Sequence, residues 1–456
     1  MRLVYRRCAG LDVHKDSVSA CIRRRVKGSK ETEIEEEVFS TCTQDLKRLR
    51  KWLRERKVKQ VAMESTGVYW IPVWNILEGG ALELILVNPA TVHALQGKKT
   101  DRIDARRIAE YLQYGLLAGS FVPPKPVRQL RELTRMRVHV QQDRSRVISR
   151  IGRLLETVNI KLASVASDIV GKSGRAILRA LATGQDRPEL LADRAVGSLR
   201  SKIPALILAL EGRPDEHFRW MLSGLLDKLE SLDKEVNRLD VEMRQRLAQD
   251  EDLLDRLATV PGVDRVVAQA VIAEVGDLSA FPDPAHLASW AGLCPGNAES
   301  AGKRFSGRTR KGNRYLRRIL TQSAWAASRK KDSFLQAFYF RIAHRRGDRK
   351  ALIAVAHRIL TIMWKIIREG DVYRERGGNF FDRVNPVQTA RRLTRRLEQI
   401  GYSVALAARP ITPVPLSLAV PPEVCYKCNR CRLTKCIHHN PKPKRTNKKR
   451  STESTT

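Results

Sequence analysis

The strongest constraint on the fold lies in residues 7–88, where strand-like runs come first and helical ones follow. CAGLDVH, SVSACIRR and a polar segment ending in EEEVFS are short runs separated by polar turns, and QDLKRLRKWLRER then places apolar residues at helical spacing. After it, KQVAMEST, the helical VYWIPVWNILEGG and the apolar LELILVN alternate strand with helix. Strands joined by short turns pair antiparallel, whereas strands separated by a helix cross over to parallel positions. The order predicts three antiparallel strands followed by α/β units, with helical periodicity returning over 99–118.

The pattern changes after the Pro-rich FVPPKPV at 121–127. Long helical stretches with few turn signals run to about residue 255, and within them Leu225, Leu229, Leu232, Val236, Leu239 and Met243 step by four and three. Such a seam with charged flanks predicts a coiled coil or helical hairpin, with dimer contacts as its expected use beyond plain packing. A third module begins near LATVPGVDRVVAQAVIAEVG and runs to about 372; Pro-rich ARPITPVPLSLAVPP and basic NPKPKRTNKKR then read as a linker and tail. The expected segments are 1–120, 121–255, 256–375 and 376–456.

A charge imbalance narrows the partner. Lys and Arg number 85 against 49 Asp and Glu, a formal charge of +36 that extends over the folded segments as well as the tail. An excess of this size predicts a polyanionic partner, nucleic acid before a membrane surface. No apolar run approaches 18 residues and no signal-peptide core follows MRLVYRRCAG, so a cytoplasmic chain with no membrane partner is expected. Cys8, Cys21, Cys42 and Cys294 are scattered, unlike a disulfide framework, and read as small buried hydrophobes.

Against this basic background, KKTDRIDARRIAE holds two acids, Asp101 and Asp104, on one face of a predicted helix. Asp12 sits inside the strand CAGLDVH, where a half-buried carboxylate is costly without a partner, and Glu64 closes KQVAMEST. Four carboxylates from two strands and a helix can converge on hard divalent cations, Mg2+ or Mn2+, which activate a nucleophile at a phosphodiester. The plainer reading pairs Asp101 and Asp104 with Arg102, Arg106 and Arg107.

The combination of AGLDVHKDSV, AMESTGVYW, KKTDRIDARRIA, VPGVD and WAGLCPGNAESAGKRFSGRTRKGNRYLRRIL resembles the insertion-sequence family numbered one hundred and ten, the DEDD transposases. The resemblance spans roughly residues 7 to 370. It implies an α/β RNase H-like (RuvC-like) N-terminal domain, a long helical coiled-coil region and a mostly α-helical C-terminal transposase domain bearing a serine. It also implies a recombinase that cuts and joins DNA as a homo-oligomer, dimer to tetramer, guided by a structured non-coding RNA. Carried over residue by residue, Asp12, Glu64, Asp101 and Asp104 become the metal-binding catalytic acids and Ser300 the nucleophile.

The serine lies in a cationic stretch. Residues 300–331 hold eleven Lys and Arg and no acid, with Phe305, Tyr315 and Trp325 among them; Lys303, Arg304, Arg308, Arg310, Lys311 and Arg314 are the expected phosphate contacts. The Pro-Gly turn of VPGVD reads either as a helix-hairpin-helix-like phosphate contact or as a helix turn in a core. A serine hydroxyl becomes a nucleophile only when deprotonated beside a neutralised phosphate, a charge that Lys303 and Arg304 can supply. Glu299 and Ala301 stand where many relatives have serine and glycine, and Ser306 offers a competing hydroxyl. No GxxxxGK[ST] motif calls for a nucleotide cofactor.

Cys425, Cys428, Cys431 and Cys436, followed by His438 and His439, have the spacing of a compact zinc site, with an iron-sulfur cluster and unliganded thiols as the alternatives. Two other functions fit the same residues: a RuvC-like metal-dependent nuclease resolving branched DNA, which needs the four acids but not Ser300, and a non-enzymatic nucleic-acid-binding protein, for which charge alone suffices.

Overall fold

The computed structural model describes residues 2–26, 28, 31–89, 101–296, 298–300, 303–309 and 311–407. Cys425, Cys428, Cys431 and Cys436 lie outside the described residues, as does Arg310. The chain divides into two compact units, Met1–Arg128 and Gln129–Thr456. No helix of the described residues is long and apolar enough to cross a membrane.

In the first unit β1 (Arg7–Val13), β2 (Ser17–Arg25) and β3 (Thr32–Ser40) pair antiparallel, and β4 (Gln60–Glu64) and β5 (Glu83–Val87) continue the sheet in parallel beyond β1. The strand order β3-β2-β1-β4-β5 is the mixed sheet predicted from the order of runs. Helices α1 (Thr43–Glu55) and α2 (Trp70–Leu77) fill the crossovers. Strand alternation then sorts the core into two layers. Ala9, Leu11, Val13 and Met63 pack with Leu46, Leu49, Trp52, Val73 and Leu77, while Cys8, Ala62 and Val87 pack with Ile108 and Leu112 of α3 (Asp101–Gln113). With helices on both faces, β1 is buried at six consecutive positions. That explains why its sequence reads as a nearly unbroken apolar run rather than an alternation.

Cys8 and Cys21 are buried free thiols whose pKa is pushed up to about 12, chiefly by burial, so they behave as the expected hydrophobes. Cys42 departs from that expectation: it is exposed at the start of α1, where the chain turns out of the sheet.

In the second unit the long α4 (Lys125–Thr157) and α7 (Glu216–Arg246) dominate, with α5 (Lys172–Ala182) and α6 (Ile203–Ala209) between them. The predicted seam is buried inside the chain. Val236 and Leu239 pack with Val140, and Leu222, Leu226 and Leu229 pack with Val147, Ile151, Leu155, Ile177 and Leu181. Leu226, rather than Leu225, is the buried position, while Leu222, Leu229, Val236 and Met243 keep a seven-residue step along the same helix. Arg137 with Asp240 (2.5 Å) and Arg144 with Asp233 (2.7 Å) flank the seam.

The same unit continues through α8 (Glu251–Ala258), α9 (Arg265–Val275) and α10 (Pro284–Trp290) to a hairpin of β6 (Ala298–Ser300) and β7 (Lys303–Ser306). Then follow α11 (Arg314–Ala327), α12 (Phe334–Arg346), the central α13 (Asp348–Glu369) and an outlying α14 (Pro386–Gln399). The VPGVD turn is part of this core: Val260 and Val263 are buried, and Gly262, at φ +79°, is pressed so close to α11 that a Cβ would lie 2.2 Å from the Ser323 carbonyl oxygen. Packing accounts for its glycine.

Candidate active site and nucleic-acid interface

The acids of the first unit are placed by strand register. Parallel pairing sets Leu11 beside Met63, so one residue further on Asp12 and Glu64 stand side by side at the carboxyl ends of β1 and β4. By the two-residue period both share the face of Cys8, Gly10 and Ala62, the face covered by α3. The helix runs antiparallel to β1. Cys8 donates its thiol hydrogen to the Ala109 carbonyl at 3.4 Å, and Gly10 lies under Ala105 and Ala109. Asp12 lies two residues beyond Gly10 along β1, in the direction of the end of α3 that carries Asp101 and Asp104.

Gly10 makes this possible. A Cβ there would come within 2.3 Å of both the Ala105 oxygen and the Ala109 nitrogen, so helix backbone rests directly on strand backbone. The far end of α3 is held by Arg23, only 8% exposed, which donates to the Gln113 side-chain oxygen at 2.9 Å. Neither residue was singled out from the sequence, although a glycine inside a strand is a recognised sign of close backbone approach.

Asp12 is 6% exposed, and His14 Nε2 lies 3.0 Å from its Oδ2. Glu64 Oε1 accepts from the Thr66 hydroxyl at 3.4 Å. Asp104 is half-buried, and its Oδ1 lies 3.8 Å from the Arg107 guanidinium, a loose version of the neighbour pairing offered as the plainer reading. Only the backbone of Asp101 is described. Among the described residues no three acidic, histidine or cysteine side chains gather into a metal-holding group. The donors themselves are all carboxylate oxygens, the chemistry that a hard divalent cation takes.

In the second unit Ser300 ends β6 at the tip of the hairpin. It pairs with Lys303, Glu299 pairs with Arg304, and Ala298 pairs with Ser306 across a register shift that leaves Phe305 as the extra residue. Lys303 is therefore the residue directly across from Ser300, and Ser306 stands at the other end of the ladder. Only the backbone of this hairpin is described. Its base is clamped: Gly296 N–H donates to the Arg308 carbonyl at 2.9 Å and Asn313 N–H to that of Trp290 at 3.2 Å. Gly312 approaches Gly292 so closely that a Cβ would sit 2.4 Å from its nitrogen.

From that base Asn313 caps α11, its side-chain oxygen accepting from the N–H groups of Tyr315 and Leu316 at 3.0 Å each. Its amide donates to Glu274 Oε2 at 2.6 Å. Glu274, 2% exposed, also takes a bidentate pair from Arg135 (2.8 and 2.9 Å) and lies 3.1 Å from Arg131 Nε. One buried carboxylate thus ties α4, α9 and the start of α11 together. Glu274→Ala removes the buried carboxylate partner of Arg135 and Arg131 and the acceptor of the Asn313 amide, and a cost of about 3 kcal/mol is expected. Urea unfolding of the full chain measures it, and an unchanged midpoint would remove the carboxylate from this role.

The outer side of α11 adds cations that the sequence reading left out. Besides Arg314, the groove along the helix is walled by Arg317 and Arg318. Among the described residues no carboxylate pairs with any of the three, whereas Arg137, Arg144, Arg175 and Arg179 of the same unit are all paired. Arg308 and Lys311 lie at the hairpin base, both exposed.

Comparison with known proteins gives the family of the chain. Residues 9–160 match a family model described as Transposase, and residues 254–339 match one described as Transposase IS116/IS110/IS902 family. The transposase for insertion sequence element IS1111A of Coxiella burnetii is 26% identical over 388 residues, 79% of this chain and 96% of that protein. The 44.8 kDa protein of insertion element IS116 from Streptomyces clavuligerus is 27% identical over 69% of this chain and 84% of its own length. A pilin gene-inverting protein of Moraxella bovis is 30% identical over 26% of this chain and 38% of its own. The protein is an insertion-sequence transposase. It belongs to the IS116/IS110/IS902 family, the family expected from its five motifs.

Proposed function

We propose that this transposase recombines DNA by attack of Ser300 on a phosphodiester, with Asp12, Glu64, Asp101 and Asp104 of an RNase H-like unit, contributed by another subunit, acting at the same phosphate. The observation that supports the acid half is the parallel register of β1 and β4, which carries Asp12 and Glu64 one residue past the Leu11–Met63 pair on the face that α3 covers. The four carboxylates would hold Mg2+ or Mn2+, which when bound neutralises phosphate charge and favours an ionised hydroxyl. The remaining work falls to the chain. Ser300 supplies the hydroxyl, and Lys303, across the hairpin, supplies a positive charge beside it.

The chemistry conserves bonds. The serine oxygen forms a phosphoserine link as one strand's hydroxyl leaves with a proton; a second strand's hydroxyl then attacks that phosphorus and the serine regains its proton. No nucleotide is consumed. The Moraxella bovis relative, named for inverting a gene, supports rejoining over hydrolysis, since inversion leaves the DNA whole. The excess of cations suits DNA together with a structured guide RNA, in an assembly of two to four chains.

The test combines purified protein, DNA carrying the element ends and RNA transcribed from the flanking non-coding region, in Mg2+. Strand-exchanged joints are expected. Hydrolysed free ends without joints would replace this reading with a nuclease that resolves branched DNA. In the same assay DNA affinity should fall by roughly a thousandfold or more between 50 and 200 mM salt, as for proteins making six or more phosphate contacts. A salt-insensitive affinity would discredit the cationic surface.

A further inference from the structure

The groove on α11 has a composition that duplex binding does not require. We propose that it binds an unpaired stretch of nucleic acid, RNA or DNA, with one base stacked on Trp325 and the flanking phosphates on Arg314, Arg317 and Arg318. This rests on the nucleic-acid reading above and adds strandedness to it.

The helix presents two unlike sides. Leu316, Leu320, Ala324 and Ala327 are buried inward, while the opposite side opens a groove of about 740 Å³ whose walls include the three arginines, Gln322, Trp325 and Leu352. That volume is in the range of small-ligand sites, about 300–1,000 Å³. Trp325 is 43% exposed, an unusual placement for so large an apolar side chain. Arg329, which is not one of the groove's walls, stands 4.4 Å from the indole centroid. The arginine holds the ring by a cation–π contact and makes its π-system a platform for a second flat group.

Charge decides the occupant's class. No acid occurs from residue 300 to 331, and among the described residues no carboxylate pairs with Arg314, Arg317 or Arg318. Three cations on one solvent-facing side without a carboxylate among them suit a polyanion. Stacking decides its strandedness, because bases in a duplex hide their faces against one another, whereas an unpaired base offers one to an aromatic ring. Gln322, on the same wall, can donate to or accept from a base edge.

The experiment uses the full-length chain and fluorescence anisotropy at one salt concentration with three probes of equal length: an oligo-U RNA, an oligo-dT DNA and a DNA duplex. Trp325→Ala should weaken single-strand binding roughly fivefold to a hundredfold and leave the duplex within about twofold. Trp325→Phe, which keeps a ring, should recover most of the loss. Arg318→Ala should weaken all three probes and lower the salt slope by about one. A loss confined to oligo-U assigns the groove to RNA, and one confined to oligo-dT assigns it to DNA. Trp325→Ala that leaves single-strand affinity unchanged, or lowers all three probes equally, overturns the proposal while nucleic-acid binding stands. Wild-type protein that binds none of the probes overturns both. Melting curves should show both Trp325 variants still folded at the assay temperature, since the side chain is nearly half exposed.

Discussion

Asp104→Asn is expected to bind DNA as tightly as wild type and to lose strand cleavage by on the order of 10³-fold or more. The substitution keeps the size of the side chain and removes its charge, so a carboxylate needed at the phosphate fails while the half-buried site keeps its packing. The competing role predicts something different. If Asp104 served only its 3.8 Å contact with Arg107, the loss would be a partly exposed ion pair, worth about 0–1 kcal/mol, and cleavage would survive. Asp12→Asn and Glu64→Gln should behave as Asp104→Asn does, because register brings those two side by side on the face that α3 covers. Cleavage of labelled element-end DNA in Mg2+, with binding followed by gel shift, checks all three. Full cleavage by any one of them removes that residue from the set.

The second large effect falls on Ser300. Ser300→Ala should retain DNA and RNA binding, since one small residue replaces another at the hairpin tip, yet lose recombination and every protein–DNA adduct. Ser306 sits at the other end of the same ladder, opposite Ala298. Its replacement by alanine should cost a single phosphate hydrogen bond, on the order of 1 kcal/mol in binding, and leave the adduct in place. Denaturing electrophoresis with labelled DNA in Mg2+, followed by mass spectrometry of the adducted peptide, separates the outcomes. An adduct that survives in Ser300→Ala and vanishes in Ser306→Ala moves the nucleophile but keeps the chemistry. Wild type that cuts without forming an adduct points to water as the nucleophile and to the acids acting alone.

Part of this site was legible because its signals are local. Asp12 stands out as an acid inside an apolar run and Glu64 as one that closes such a run, and a strand's two-residue period gives the face that each takes. The cations around Ser300 announce themselves by the absence of any acid from 300 to 331. Arg317 and Arg318 were passed over in that run because only the burial of Leu316 and Leu320 shows which side of α11 turns outward. Glu274 is the one acid of the apolar helix RVVAQAVIAEV, a sign that it needs a partner, but its partners Arg131, Arg135 and Asn313 lie 39 to 143 residues away and no local pattern names them.

By itself the sequence determined the order of strands and helices, the mixed sheet that this order implies, and the family to which the chain belongs. Each follows from residue periodicity or from motifs contiguous in the chain. Tertiary structure alone decided which way α3 crosses β1, since that depends on Gly10 admitting a helix backbone 95 to 99 residues downstream. It likewise decided that the seam of α7 is consumed against α4 and α5 within one chain, and that Ser300 ends a clamped hairpin facing Lys303. These are matters of close approach between distant segments. A periodic pattern states only that a face must be covered, and the shapes that meet in the folded chain settle what covers it.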